Sequence, residues 1–137
     1  MTSGTTISMS ITDESAVRAV LRSLYTAWAN NDADSFAAPY VEDATVVMPG
    51  VFRNGKEEVR AYMAADFAGP LKGSRAIDEP QSIRSFGDDA AVVVSEGGIL
   101  MAGETEVPVG RRVRATWALV KRDGHWLIAA YHNCPAT

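Results

Sequence analysis

Apolar side chains recur at Val17, Val20, Leu21, Leu24 and Trp28, in steps that place them on one face of a helix. Thr12 or Asp13 opens this helix, and Asp13 and Glu14 suit the positive end of its dipole. Asn30-Asn31-Asp32 ends it. Asp32 then caps a short second helix through Ser35, Phe36 and Ala37, stopped near Pro39. Val41 to Asp43 reads as a turn, Ala44 to Met48 as a short strand, and Arg53-Asn54-Gly55 as a second turn. A third helix runs from Lys56 to Phe67, with Val59, Tyr62, Met63 and Phe67 at helical spacing.

Strands follow. Ile77 to Phe86 is interrupted by Pro80, which marks an edge or a bulge. Gly87-Asp88-Asp89 turns the chain into Ala90 to Met101, an apolar strand broken at Glu96-Gly97-Gly98. Gly103 to Gly110 is a loop. The last two strands form a hairpin about Asp123-Gly124, which supplies the positive φ angles of a two-residue turn. Helices segregated from an antiparallel sheet define an α+β domain. One such domain is expected over 12–137, behind a loose, disordered polar tail over 1–11. The late strands are apolar on both faces, so the sheet needs two covers. The helices supply one, and a second copy of the chain is expected to supply the other, as a homodimer.

Composition narrows the partners. The 137 residues carry 13 basic and 17 acidic side chains, a net charge of −4. That argues against nucleic acid or an anionic membrane as the main partner. No segment approaches the roughly 18 apolar residues of a membrane span. The first eleven residues lack the features of a signal peptide. Cys134 has no intrachain partner, and a reducing cytoplasm is the simplest setting.

Candidate chemistry gathers where the last strand ends on Tyr131, His132 and Asn133. His132 can serve as acid or base near neutral pH, or be satisfied by a backbone carbonyl. Asn133 can polarise a carbonyl, or be a turn residue before Pro135. Neighbours on a strand point to opposite faces, so both enter one pocket only at a bulge. A regular hairpin pairs His132 with Ala115 and Asn133 with Arg114. Trp117, Ala130 and His132 then share one face, and Arg114, Thr116, Tyr131 and Asn133 the other; which face lines a pocket stays open. Glu96 is either a buried carboxylate with a raised pKa or a solvent-facing residue beside two glycines. Arg114 is its plausible partner, or a site for an anionic substrate. Tyr25, Trp28, Phe36, Tyr40, Met48, Phe52, Met63 and Phe67 are candidates for core and pocket wall together. The chain shows no Ser-His-Asp signature, metal-ligand cluster, Gly-rich phosphate loop or nucleotide fingerprint, so no metal or cofactor is expected.

Four stretches carry a resemblance that spans about residues 13–135. They are the helix ending Trp28-Ala-Asn-Asn-Asp32-Ala-Asp-Ser-Phe36, then Val41-Glu-Asp43-Ala, then Asn54-Gly55-Lys-Glu-Glu-Val59, and Asp123-Gly-His-Trp126-Leu-Ile128. With them the chain resembles the NTF2-like (SnoaL-like) superfamily. The ending Tyr131-His-Asn-Cys-Pro135 is similar to that of small NTF2-like proteins from enediyne polyketide clusters. The resemblance implies a curved antiparallel sheet and three N-terminal helices around a cone-shaped pocket.

It also implies secondary metabolism: antibiotic biosynthesis, with polyketide synthase-associated enzymes as partners. The activity expected is that of a cofactor-independent isomerase, cyclase or dehydratase. Its substrate would be a polyketide-derived intermediate such as an enediyne-core polyene precursor. His132 or Glu96 would move a proton, Asn133, Thr116 or Tyr131 would hold an oxygen, and Trp28 and Tyr40 would shape the cavity. The alternative is a protein that binds and shields a reactive apolar intermediate without catalysis. A third reading is a dimerising module with a vestigial pocket.

Overall fold

The structure is a computed structural model and describes residues 9–137. The tail expected over 1–11 falls mostly outside that range. Ser10 caps α1 (Ile11–Ala29), its side chain accepting from the Asp13 amide at 3.0 Å, so the helix starts a little earlier than Thr12. Val17, Leu21, Leu24 and Ala27 form its buried stripe. Asp32 caps α2 (Ala33–Ala37) and buries Phe36 and Ala37. α3 (Lys56–Ala68) buries Val59, Met63 and Phe67.

Six strands form one curved sheet: β1 (Tyr40–Met48), β2 (Val51–Asn54), β3 (Arg75–Ser85), β4 (Ala90–Leu100), β5 (Val113–Arg122) and β6 (His125–Pro135). Their order is β2-β1-β6-β5-β4-β3. All neighbours are antiparallel except β1 and β6, which run parallel. The architecture is the expected α+β cone. Three local readings change. Val41 to Asp43 belongs to β1, and Arg53-Asn54 closes β2. β4 runs unbroken through Gly97-Gly98. Pro80 lies, as expected, on an edge strand with a bulge: β3 is at the sheet edge and slips register at Gln81.

The end of α1 is fastened to the start of β3. Asn31, at φ 50°, donates through its side-chain amide to the carbonyls of Trp28 and Ser74 and accepts from the Gly73 amide. The Trp28 indole donates to the Ser74 hydroxyl at 2.9 Å, and that hydroxyl donates to the Leu71 carbonyl. These bonds fix where β3 begins, and with it the wall of the cavity that β3 supplies.

Candidate active site

Helices and sheet enclose an apolar cavity of about 490 Å³. α1 contributes Tyr25 and Trp28; Phe36 and Tyr40 follow; α3 adds Val59, Tyr62 and Met63. Trp28 is wedged edge-on between Phe36 and Phe67, at ring-centroid distances of 5.7 and 5.5 Å, which stiffens this wall. The sheet contributes a cross-strand row: Trp117, Tyr131, Val46 and Arg53 are successive register partners on β5, β6, β1 and β2, and all line the cavity.

Two carboxylates line this space, Asp66 on α3 and Asp78 on β3. The Asp78 Oδ2 accepts from the Tyr25 hydroxyl at 2.5 Å. Burial raises the Asp78 pKa, and hydrogen bonds from Tyr25 and Ser95 pull it partly back. The Tyr25 phenol is itself pushed well above its usual range by burial and by the Asp78 charge, so it keeps its proton. Ser95, fully buried, accepts from the Trp117 indole at 3.0 Å.

A second polar pair lies nearby. The Asn133 side-chain amide donates to the Tyr131 hydroxyl oxygen at 2.8 Å, and both residues line the cavity. Burial pushes the Tyr131 phenol up to about 12, against the lowering effect of Asn133. A phenol that accepts from Asn133 and keeps its own proton is an oriented donor for a ligand oxygen.

The pairing expected for His132, and its grouping with Trp117 on one face, are shifted by one residue. β6 carries one extra residue, Ala129: Leu119 pairs with Ile128, but Ala118 pairs with Ala130. His132 therefore pairs with Thr116 rather than Ala115, and Asn133 with Ala115 rather than Arg114. Ahead of the bulge Trp126 and Ile128 point to the helices; beyond it Tyr131 and Asn133 do. Trp117 joins them. His132, Thr116 and Arg114 fall on the outer face and are exposed. Glu96 also faces outward, bonded to Arg112 at 3.1 Å and Arg114 at 2.9 Å, and those bonds hold its carboxyl below the usual range. Of the residues expected to carry chemistry, the structure brings Tyr25, Trp28, Tyr40, Tyr131 and Asn133 to the cavity. It does not bring His132, Glu96, Arg114 or Thr116 there.

Asp78 was not legible as a site residue. In Arg75-Ala-Ile-Asp-Glu-Pro80 the apolar Ile77 is 40% exposed and the charged Asp78 points inward, the inverse of a normal strand pattern. Among the described residues no group of three or more His, Cys, Asp or Glu side chains could hold a metal ion. No described helix is long and apolar enough to cross a membrane.

The family model of the SnoaL-like domain matches residues 17–136. The chain belongs to the SnoaL-like family. Among solved structures, this SnoaL-like chain is similar to a domain of unknown function with a cystatin-like fold from Nostoc punctiforme. That likeness has 27% identity and a TM-score of 0.86, over 94% of this chain and 80% of that one. It shares the fold of a ketosteroid isomerase-like protein from Erwinia carotovora, at 21% identity and TM-score 0.71, covering 90% and 95% of the two chains. It shares it also with a candidate scytalone dehydratase from Novosphingobium aromaticivorans, at 17% identity and TM-score 0.76, covering 93% and 86%. No curated protein matches the chain significantly.

Proposed function

We propose that this SnoaL-like protein is a cofactor-independent enzyme that moves a proton on an apolar small molecule, as an isomerase, cyclase or dehydratase does. The observation that carries the reading is the Asp78 carboxylate in an apolar cavity, bonded to Tyr25 and with its pKa raised. Such a group is a stronger base than an exposed carboxylate and is poised nearer neutral pH. The names of the isomerase-like and dehydratase-like neighbours accord with proton transfer, at identities that carry the fold alone.

The step proposed is enolisation. Asp78 takes a proton from carbon next to a carbonyl. The C–H electron pair moves toward the carbonyl oxygen, which accepts a hydrogen bond from Tyr131, held by Asn133. Returning the proton to another carbon completes an isomerisation, with no net proton gained or lost. Tyr25 donates to Asp78 throughout and keeps it oriented. Trp28 and Tyr40 shape the apolar space. A polyketide-derived intermediate, such as an enediyne-core polyene precursor, is the substrate class to which the likeness to enediyne-cluster proteins points. The same reading includes a homodimer through the outer face of the sheet and passage of substrate from polyketide synthase-associated enzymes.

Deuterium exchange at the carbon next to the carbonyl tests this without knowledge of the product. Apolar β,γ-unsaturated ketones and β-hydroxy ketones are incubated in D₂O and followed by NMR. The wild-type protein should speed exchange, and Asp78→Asn should remove about 10²-fold of that rate. Exchange that is indifferent to Asp78→Asn sinks the assignment. Tight binding with no exchange supports the shielding role instead, which the largely apolar lining also suits.

A further inference from the structure

Three arginines line the cavity, and they differ in what neutralises them. Arg111 is bonded to Glu104, and Arg112 to Glu96. Arg53 makes no ion pair among the described residues. Its guanidinium lies over the Tyr62 ring, 4.4 Å from the centroid. Its one hydrogen bond goes to the neighbouring Phe52 carbonyl, at 3.3 Å. Stacking fixes the plane of the fork and leaves other N–H donors unused.

The geometry points to Arg53 as the site for the carboxylate of an apolar acid, so that the substrate of this cavity is a monoanion anchored at one end. Chain position gives the direction. Arg53 pairs with Val46, and Val46 with Tyr131, so Arg53 lies two strands from the Tyr131 donor, about 10 Å at ordinary strand spacing. A carboxylate on Arg53 thus lays the apolar body along Val46 and brings a second oxygen toward Tyr131. Asp78 sits on β3, the opposite edge strand of the sheet, and makes no ion pair with Arg53. Asp66 also lines this end without pairing to Arg53. One free guanidinium with a carboxylate nearby suits a monoanion better than a doubly charged phosphate.

This inference rests on the cavity being a substrate site, and the test separates the two. Binding of decanoate, 1-decanol and decylamine is followed by quenching of tryptophan fluorescence, since Trp28 and Trp117 line the cavity. The wild-type protein should prefer decanoate to decanol by about tenfold or more, the worth of one charge-assisted contact. Arg53→Gln should abolish the preference by lowering decanoate affinity about tenfold or more relative to decanol, with circular dichroism reporting that the variant is folded. Asp78→Asn should keep the preference. Equal affinities for acid and alcohol, a preference that survives Arg53→Gln, or a preference for the amine overturns the role of Arg53 while the cavity stands. Failure of acid and alcohol alike to bind overturns both.

Discussion

The Tyr25 hydroxyl and the Asp78 carboxylate meet across the cavity at 2.5 Å, although 53 residues separate them in the chain. The contact leaves Asp78 a carboxylate with few polar neighbours, and burial raises its pKa from the ordinary 3.8. The sign of the pH effect follows. Between 3.8 and the raised value, the folded chain holds a proton that the unfolded chain has released. The stability that this group contributes is therefore complete below the unfolded value and lost as pH climbs through the folded one. Asp78→Asn should raise the melting temperature at pH 7 relative to wild type, with the gap closing toward pH 3.8. Parallel calorimetric series across that range check it, and a variant less stable at neutral pH contradicts the burial argument.

Tyr25→Phe separates the roles of the two partners. Removing the donor withdraws a bond that favours ionised Asp78, so its pKa should rise further. The acid limb of the pH–rate profile for exchange should move to higher pH. Tyr131→Phe should instead lower the rate across the whole profile, since the phenol is proposed to hold the substrate oxygen. Loss of the Tyr25 bond to a charged group should also cost about 1.5 kcal/mol of stability at neutral pH. An unmoved acid limb would show that Tyr25 does not tune the base.

His132 and Glu96 should prove dispensable for the cavity. His132→Ala is an exposed outer-face change and should alter ligand affinity and exchange by less than about twofold. Glu96→Gln should behave likewise. Titration calorimetry with the apolar probe checks both, and a loss approaching 10²-fold in either would put catalysis on the outer face. These two residues also mark the limit of what the chain's pattern reveals. Helix periodicity, the Asp32 cap and the Asp123-Gly124 turn are local features, and each is plain in the sequence. The alternation of β6 is equally plain, but its phase is set by one unpaired alanine, Ala129, with no glycine or proline to announce it. That residue exchanges His132 for Tyr131 and Asn133 at the cavity. Asp78 was hidden for a different reason: an inward carboxylate beside an outward isoleucine contradicts the pattern by which strands are read.

Gly97 is predicted to be intolerant of a side chain. It pairs with Asp78 on β3 and Val113 on β5. A Cβ there would lie 2.1 Å from the Ile77 carbonyl oxygen and 2.7 Å from the Asp78 Cα. Both are backbone atoms of the strand that carries the proposed base, so the strand itself must move. Gly97→Ala should cost about 2 kcal/mol by overpacking and should slow exchange as well, because a displacement of Asp78 disturbs the geometry of proton transfer. A control at Gly124, whose added Cβ meets nothing within 4 Å but whose φ is +78°, should destabilise without touching exchange. Chemical denaturation paired with the exchange assay separates the two outcomes.

The outer face carries the last prediction. Ser82, Val94, Thr116, His132, Val47 and Phe52 are successive register partners across all six strands. The next row runs Arg84, Val92, Ala118, Ala130, Thr45 and Asn54. The helices pack on the other side, and Val47 and Phe52 are 38% and 58% exposed. Valines and alanines on a sheet face with no cover among the described residues are a cost in water and a gain in an interface. The proposed homodimer would bury them against the same rows of a second chain, His132 lying within the interface. A dimer is expected by light scattering at micromolar concentration. Val94→Arg should give a folded monomer, since a charge at the centre of a self-complementary face is buried twice over in the dimer. Circular dichroism would confirm that the variant remains folded, and a wild-type chain that scatters as a monomer at that concentration would remove the dimer from the proposal.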